Sequence, residues 1–371
     1  MANNFHNLKV AKVVSETADA KSVYFDIPEG LKDTFFYQPG QYLTLNFDVD
    51  GTNYRRAYSI CTSPLDEQLA VTVKRVVGGK ISNHINDTIT QGSEIAVMPP
   101  MGKFTVDIKA SNRTDYYMFA GGSGITPMMS ILKTVLEKEP NSVCNLLYGN
   151  RNEDSIIFEE IFKNLEQKYG DRLNIRHILS TPEQKKVGGL AGLFGKKKFT
   201  WTGWFGFLDQ NKINTFISNH LGQGDQQKFL ICGPSIMMDL VTESLRNLAI
   251  PKENVLVEYF ASPKKETDET VKKTFLGTAK VTVALENQQH IVEIGDDTTI
   301  LDALIKKGIE APYSCSSGAC STCMAKLTKG TVSMDACYAL EDEELANGFI
   351  LTCQSHPTSE EVEVDYNVVN E

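Results

Sequence analysis

The sequence predicts a multidomain chain that combines α/β and all-β parts. An antiparallel β-barrel is expected over residues 1–112 and a doubly wound parallel α/β domain over 113–261. A linker at 262–274 leads to a small β-rich domain over 275–371. Three observations predict this. Short apolar runs punctuated by Gly, Pro and Asp fill the first hundred residues. From about 115, strand-like runs alternate with helical stretches. At 262–274, Ser-Pro-Lys-Lys-Glu-Thr-Asp-Glu-Thr-Val-Lys-Lys-Thr, apolar periodicity stops and mixed charge takes over. A chain of 371 residues has room for two or three such domains, each with an ample core.

In the first domain, residues 8–14, 22–27, 41–49, 53–62, 68–77 and 93–98 read as strands. Pro39-Gly40 is a turn entering the third. In the second, strand 116–120 runs into Gly121-Gly122-Ser123-Gly124-Ile125-Thr126-Pro127 and a helix through Lys138. Strand 143–148, a helix near 155–168, strand 173–179, helix 211–219, strand 228–232, helix 235–248 and strand 254–258 follow. A glycine-rich turn at the first strand-to-helix junction is where a dinucleotide pyrophosphate would sit. Pro127 stands where the standard G-x-G-x-x-G motif has its third Gly, so the string alone is a weak signal.

Residues 183–204 are long for a connection in such a domain. Their Leu, Phe, Trp and clustered Lys residues allow a lid or a partner dock, and a tolerated surface insertion is the expected reading. After the linker, strands 278–285 and 289–294 form a hairpin around Glu286-Asn287-Gln288. A helix at 299–307, capped near Asp297-Thr298, comes next.

The cysteines of the last domain carry the strongest motif. Cys315, Cys320, Cys323 and Cys353 are spaced C-x4-C-x2-C-x29-C. This is the plant-type pattern for a [2Fe–2S] cluster, in which iron takes soft thiolate ligands. Ser316, Ser317, Gly318, Ala319, Ser321 and Thr322 are small, so backbone amides can point at the sulfurs. Zinc sites usually show two paired knuckles, whereas here one short pair has one outrigger and one distant cysteine. Disulfides would suit a secreted chain, yet the N-terminus has no basic-then-apolar leader and no apolar run is long enough to span a bilayer. Cys61, Cys144, Cys232 and Cys337 are scattered, and free thiols beside an iron–sulfur cluster fit a reducing cytoplasm.

The net charge is −10, and residues 275–371 hold 5 Lys, no Arg and 16 Asp or Glu, so the acidity lies on the cluster-bearing segment. Solubility explains part of this. The rest fits a docking face for a basic partner, with Glu341–Glu344 as candidates. An acidic chain without a basic stripe excludes nucleic acid as the expected partner.

Two strings in the barrel complete the picture. Arg55-Arg56-Ala57-Tyr58-Ser59-Ile60 is followed by Val73-Lys74-Arg75-Val76-Val77-Gly78-Gly79-Lys80-Ile81-Ser82-Asn83-His84. Together they resemble the flavin domain of the ferredoxin–NADP reductase superfamily. The resemblance places the flavin pyrophosphate on Arg56, the ring against Tyr58 and its N5 near Ser59. Arg is a fork donor matched to phosphate oxygens, and Tyr offers a flat face and a hydroxyl. Gly79, Lys80, Ile81 and Ser82 open a short helix, near 80–86, whose amides suit a second phosphate. The expected flavin is FAD, although one relative of this architecture, phthalate dioxygenase reductase, carries FMN.

In the same superfamily, Gly-Gly-Ser-Gly-Ile-Thr-Pro and Cys-Gly-Pro are the pyridine-nucleotide signatures. This implies nucleotide contacts at Gly122, Gly124, Thr126 and Pro127, and a nicotinamide near Cys232, Gly233 and Pro234. An acidic residue and a closing aromatic lie over the flavin, which implies Glu258 and Phe260 here. Ser59, Tyr58, Cys232 and Glu258 are thus the residues expected nearest the chemistry. No acidic residue follows the second strand immediately, and Arg151 can pair with a 2′-phosphate. NADPH is therefore expected, with NADH possible.

Residues 275–371 resemble plant-type ferredoxins, which implies a β-grasp fold. A flavin barrel, a nucleotide domain and a C-terminal ferredoxin together resemble class IA-like oxygenase reductases. The strings Cys-Tyr-Ala-Leu at 337–340 and Leu-Thr-Cys-Gln-Ser-His-Pro at 351–357 are similar to those of the phenylacetyl-CoA epoxidase reductase family. That resemblance implies electron transfer from NADPH through FAD and a [2Fe–2S] cluster to a di-iron oxygenase component, in phenylacetate catabolism. Two alternatives stand beside it. One is a stand-alone NAD(P)H reductase for another acceptor protein, such as a hybrid-cluster protein or other oxygenase. The other is a non-catalytic iron–sulfur sensor, against which the intact flavin and nucleotide strings count.

Overall fold

The computed structural model describes residues 4–186, 197–220, 222, 224–260, 277–295 and 298–370. The expected linker at 262–274, and residues 187–196 of the long 183–204 stretch, lie outside them.

The first strands are β1 (His6–Thr17), β2 (Ala20–Asp26), β3 (Tyr42–Val49), β4 (Thr52–Ser59), β5 (Leu69–Lys74) and β6 (Glu94–Val97). They form one antiparallel sheet in the order β4-β3-β6-β1-β2-β5. A bridge between Ile60 and Val71 joins its two edges into a barrel. Alternation decides which side chains go inside. Leu43, Leu45, Val71 and Val73 are buried with Leu8, Val10, Val23 and Phe25. A slip of one residue would turn such a set to solvent, at about 1.5–3 kcal/mol per side chain, so the register is firmly held. Helix α1 (Lys80–Thr88) sends Ile81 and Ile85 into the same core.

The second unit has β7 (Thr114–Gly121), α2 (Ile125–Lys138), β8 (Val143–Asn150), α3 (Glu159–Tyr169) and β9 (Leu173–Leu179). A short ladder, β10 (Gln184–Lys186) with β11 (Lys197–Phe199), precedes β12 (Trp204–Phe205). Then come α4 (Gln210–Asn219), β13 (Gln226–Cys232), α5 (Ser235–Asn247) and β14 (Val255–Glu258). The sheet is parallel, in the order β12-β9-β8-β7-β13-β14. All eight residues of central β7 are buried, as helices on both faces require. The strand order reverses between β7 and β13, and the crevice at their carboxyl ends is where such sheets bind ligands.

The 183–204 stretch is not wholly a surface insertion. Trp204 pairs with Ile178 and Phe205 with Leu179, adding an edge strand to the sheet. The Trp201 indole N–H donates to the Trp204 carbonyl at 2.8 Å, and Trp201 packs on the core.

The last unit comprises β15 (Ala279–Leu285), β16 (Gln288–Ile294), α6 (Ile300–Lys306), β17 (Met324–Lys329), β18 (Val332–Met334), α7 (Asp342–Ala346), β19 (Phe349–Leu351), β20 (Ser355–Pro357) and β21 (Glu361–Asp365). Its main sheet runs β16-β15-β21-β17-β19, with β15 and β21 parallel. Ile300, Leu301 and Leu304 of α6 pack on this sheet, giving the β-grasp arrangement. Glu286 and Asn287 both take positive φ, the geometry of a tight hairpin turn. The α6 cap is Thr299, whose side chain accepts the Asp302 N–H at 3.1 Å, one residue beyond the expected cap. Its hydroxyl reaches the amide three residues on, as an N-cap must.

Candidate functional site

Strand β4 organises the site because residues from both of its faces line it. Tyr54, Arg56 and Tyr58 stand opposite Phe47, Leu45 and Leu43 and share their face. Arg55, Ala57 and Ser59 stand opposite Asn46, Thr44 and Tyr42 on the other face. The strand thus presents Arg56 and Tyr58 to one side and Arg55 and Ser59 to the other.

A cleft of about 470 Å³ lies against this strand, within the usual range for cofactor sites. Arg56, Tyr58 and Ser59 line it, with Gly79, Lys80, Ile81 and Ser82 at the start of α1. Among the described contacts, α1 has no side-chain N-cap, so its first amides face this region. The Ser82 hydroxyl accepts the Val76 N–H at 3.1 Å and fixes the turn. Thr126 and Ser123 close the cleft from the nucleotide unit, and Phe260 covers one side. Phe260 is 41% exposed, which suits a movable cover.

The two glycine strings interlock. A Cβ on Gly124 would lie 2.1 Å from the Cys232 carbonyl oxygen, and one on Gly121 would lie 2.5 Å from Pro234 Cδ. A Cβ on Gly233 would meet Gly121 N at 2.9 Å. Only glycine lets these loops touch at the switch point. Gly122 takes φ +52° and its carbonyl accepts the Tyr148 hydroxyl at 3.0 Å. Pro127 is buried in the first turn of α2.

Cys232 and Glu258 are neighbours across the β13–β14 ladder. Cys232 is fully buried and does not line the cleft; burial, then the Glu258 carboxylate, pushes its thiol well up. Glu258 shows part of its surface to a second cavity, but its carboxyl is enclosed. Burial, then Cys315, pushes it up to about 8. Arg151 is exposed at the carboxyl end of β8, outside both cavities, and its carbonyl accepts the Thr181 N–H at 2.7 Å.

The structure brings Cys315, Cys320, Cys323 and Cys353 together. Hydrogen bonds from the Cys320 and Cys353 thiols hold Cys315 far below the usual thiol range. The same contacts push Cys320 and Cys353 up. The Ser317 N–H reaches Cys315 Sγ at 3.4 Å, and Gln354 Nε2 reaches Cys353 Sγ at 3.7 Å. Gly318 takes φ +69°, and a Cβ there would meet the Ala336 carbonyl at 2.9 Å. Among the described residues, no three Cys, His, Asp or Glu side chains converge on one ion. Donor type, spacing and the glycine-lined cradle therefore fit a [2Fe–2S] cluster, just as the cleft and the α1 amides fit a flavin dinucleotide.

The two centres share a wall. Cys315 lines the 470 Å³ cleft beside Ser59 and Phe260. A smaller cavity, about 60 Å³, is lined by Tyr42, Ser59, Glu258, Phe260, Cys315 and Cys320 among others. The β-grasp unit is fastened to the outer face of β3 and β4. Tyr42 Oη lies 3.0 Å from Thr322 Oγ1, and Thr44 Oγ1 donates to Ser314 Oγ at 2.7 Å. The Arg55 guanidinium stacks on Tyr313, and Tyr259 stacks on Tyr338. Lys103 pairs with Glu344 at 2.7 Å and Lys252 with Asp342 at 2.6 Å. Two of the acids expected to face an external partner thus bind the other two units of their own chain. Sequence reasoning missed Tyr42 and Thr44, and the alternation of β3 was the only signal that set them apart.

Comparison with known proteins accords with this geometry. Residues 7–106 match the oxidoreductase FAD-binding domain, 118–243 the oxidoreductase NAD-binding domain, and 283–358 the 2Fe-2S iron-sulfur cluster binding domain. The chain is 36% identical over 364 residues to a component of the 1,2-phenylacetyl-CoA epoxidase of Escherichia coli (strain K12), covering 98% of each. It is 33% identical to the ferredoxin reductase component of 3-ketosteroid-9-alpha-monooxygenase from Rhodococcus rhodochrous, covering 97% of this chain and 96% of that one. Its fold is similar to that of phthalate dioxygenase reductase, with a TM-score of 0.60, 24% identity and 98% of both chains covered. The chain belongs to the family of oxygenase reductase components, NAD(P)H-dependent oxidoreductases that join FAD, a pyridine-nucleotide site and a [2Fe–2S] cluster in one polypeptide.

Proposed function

We propose that this chain is the NADPH-dependent reductase of a phenylacetyl-CoA epoxidase, feeding a di-iron oxygenase component in the cytoplasm as part of phenylacetate catabolism. The observation that carries the reading is the shared wall, with Cys315 lining the cleft that Arg56, Tyr58 and Ser59 also line. The 36% identity along the whole chain to an epoxidase component supports this choice of acceptor. No described helix is long and apolar enough to cross a membrane.

When bound, the flavin supplies the exchange between a two-electron donor and a one-electron cluster. The chain's own work is placement. Arg56 offers a guanidinium fork to the flavin pyrophosphate, and α1, opening at Gly79-Lys80-Ile81-Ser82, offers amides and the Ser82 hydroxyl. Tyr58 packs the ring and Ser59 offers a hydroxyl at its edge. Gly122, Gly124, Thr126 and Pro127 would seat the nucleotide pyrophosphate, while Cys232-Gly233-Pro234 would back the nicotinamide end from behind, with Gly233 and Pro234 packed on Gly121. Phe260 would cover one side of the cleft and exclude water from it. Glu258 places an enclosed carboxyl group beside the smaller cavity, next to Cys232 in the ladder. Cys315, Cys320, Cys323 and Cys353 ligate the cluster, and Arg151 reads the 2′-phosphate.

An anaerobic titration of the purified protein with NADPH, followed by visible absorbance, tests the electron chain. Bleaching of both flavin and iron–sulfur bands supports it. Bleaching of the flavin alone overturns it. Reconstitution with the di-iron component and phenylacetyl-CoA then tests the acceptor. The likeness to a 3-ketosteroid monooxygenase reductase favours one second reading, in which the same relay serves a different oxygenase. Turnover of phenylacetyl-CoA only when this chain is present decides between them.

A further inference from the structure

Tyr42 is held more tightly than a strand residue needs. It sits opposite Ser59 in the β3–β4 ladder, and its backbone exchanges hydrogen bonds with Met101 at 2.8 and 3.0 Å. Gly102, at φ +117°, lies under its ring, where a Cβ would come within 3.0 Å of Tyr42 Cδ1. The side chain is 5% exposed and walls the small cavity between cleft and cluster loop. Its hydroxyl contacts Thr322 Oγ1, and that oxygen lies 3.4 Å from Cys320 Sγ. Thr322 is itself buried.

Ligation fixes the direction of these bonds. A cysteine bound to iron carries no proton, so its sulfur can only accept. The Thr322 hydroxyl must then donate to Cys320 Sγ, which leaves its oxygen to accept from Tyr42. We propose that Tyr42 is a positioning residue of the flavin barrel that tunes the cluster of the β-grasp unit through the donor chain Tyr42 Oη–H to Thr322 Oγ1–H to Cys320 Sγ. The chain forms only while the two units are docked. Each donor in such a chain polarises the next, and a hydrogen bond to a cluster sulfur favours the reduced, more negative state. Docking therefore makes the cluster a better acceptor at the moment it lies beside the flavin, and separation makes it a better donor. The inference rests on the ligand assignment above.

The test is a spectroelectrochemical titration of the cluster in the full chain, comparing wild type with Tyr42→Phe, Thr322→Val, Thr322→Ser and Thr44→Val. Tyr42→Phe keeps the ring and should lower the cluster midpoint by the equivalent of a three- to tenfold loss in equilibrium constant, up to ~59 mV for one electron. Thr322→Val should lower it at least as far, and Thr322→Ser should restore it. Thr44→Val removes the other buried hydroxyl pair, which touches no sulfur, and should leave the midpoint in place. An unmoved midpoint in Tyr42→Phe overturns the proposal, and so does an equal shift in Thr44→Val, which would make the effect one of docking alone. The visible bands and the electron paramagnetic resonance of the reduced cluster report separately on ligation. Their absence in wild type would refute the ligand assignment rather than the donor chain.

Discussion

Gly124→Ala tests the interlock between the two nucleotide loops. The added methyl would lie 2.1 Å from the Cys232 carbonyl oxygen, 2.5 Å from its carbon and 2.8 Å from Gly233 N. Ordinary contact begins at 3.4 Å, so one loop must retreat by about 1.3 Å. All three atoms belong to backbone, so no side-chain rotation relieves the clash. Overpacking of this kind typically costs about 1–3 kcal/mol. The strain falls on the loop proposed to hold the nucleotide, so KM for NADPH should rise by about 5- to 150-fold if the loop takes all of it. Gly30→Ala is the control, since a Cβ there meets nothing within 4 Å and its φ is not in the left-handed region. The assay is NADPH-dependent ferricyanide reduction with a thermal melt of each variant, and flavin content checks that the barrel is intact. A Gly124→Ala protein with wild-type KM and melting temperature would refute the reasoning.

Three further outcomes are expected. Cys320→Ser should abolish cytochrome c reduction and spare ferricyanide reduction, which can draw on the flavin; equal loss of both would mean that the barrel needs the cluster to fold. Arg151→Ala should raise KM for NADPH more than for NADH, and an unchanged ratio would remove Arg151 from nucleotide choice. His177 lies among the rings of Tyr148, Phe162 and Trp201, and burial lowers its pKa to about 4. The unfolded chain takes up this proton near pH 6.5 and the folded chain does not, so stability is lost as pH falls from about 6.5 to 4, by up to about 3 kcal/mol. His177→Phe should flatten the thermal melt between pH 7 and 5, and a slope identical to wild type would contradict this.

Much of this architecture was legible because it rests on local chemistry. The spacing of Cys315, Cys320, Cys323 and Cys353 declared a cluster before any fold was known, since thiolate ligation demands those residue types. Strand 173–179 was readable to the residue because Leu173, Ile175, Ile178 and Leu179 recur along it and Ser180-Thr181-Pro182 ends it. What escaped depends on partners distant in sequence. Trp204 and Phe205 join the sheet only because β9 offers an open edge beside them. Glu344 and Asp342 read as a solvated acidic face, and only the fold brings Lys103 and Lys252 against them. Tyr42 looks like any strand tyrosine until Thr322, 280 positions later, arrives at its hydroxyl.

The placement of β21 bears on how the protein is made. Glu361–Asp365 form the middle strand of their sheet, between β15 and β17, although they are the last strand in the described chain. During synthesis the barrel can close once residue 97 has left the ribosome. The cluster module must wait for residue 365, with its apolar strand faces unmatched until then. A chain lacking β21 would leave β15 and β17 without the strand that joins them, although every residue of the barrel and the nucleotide sheet is already present.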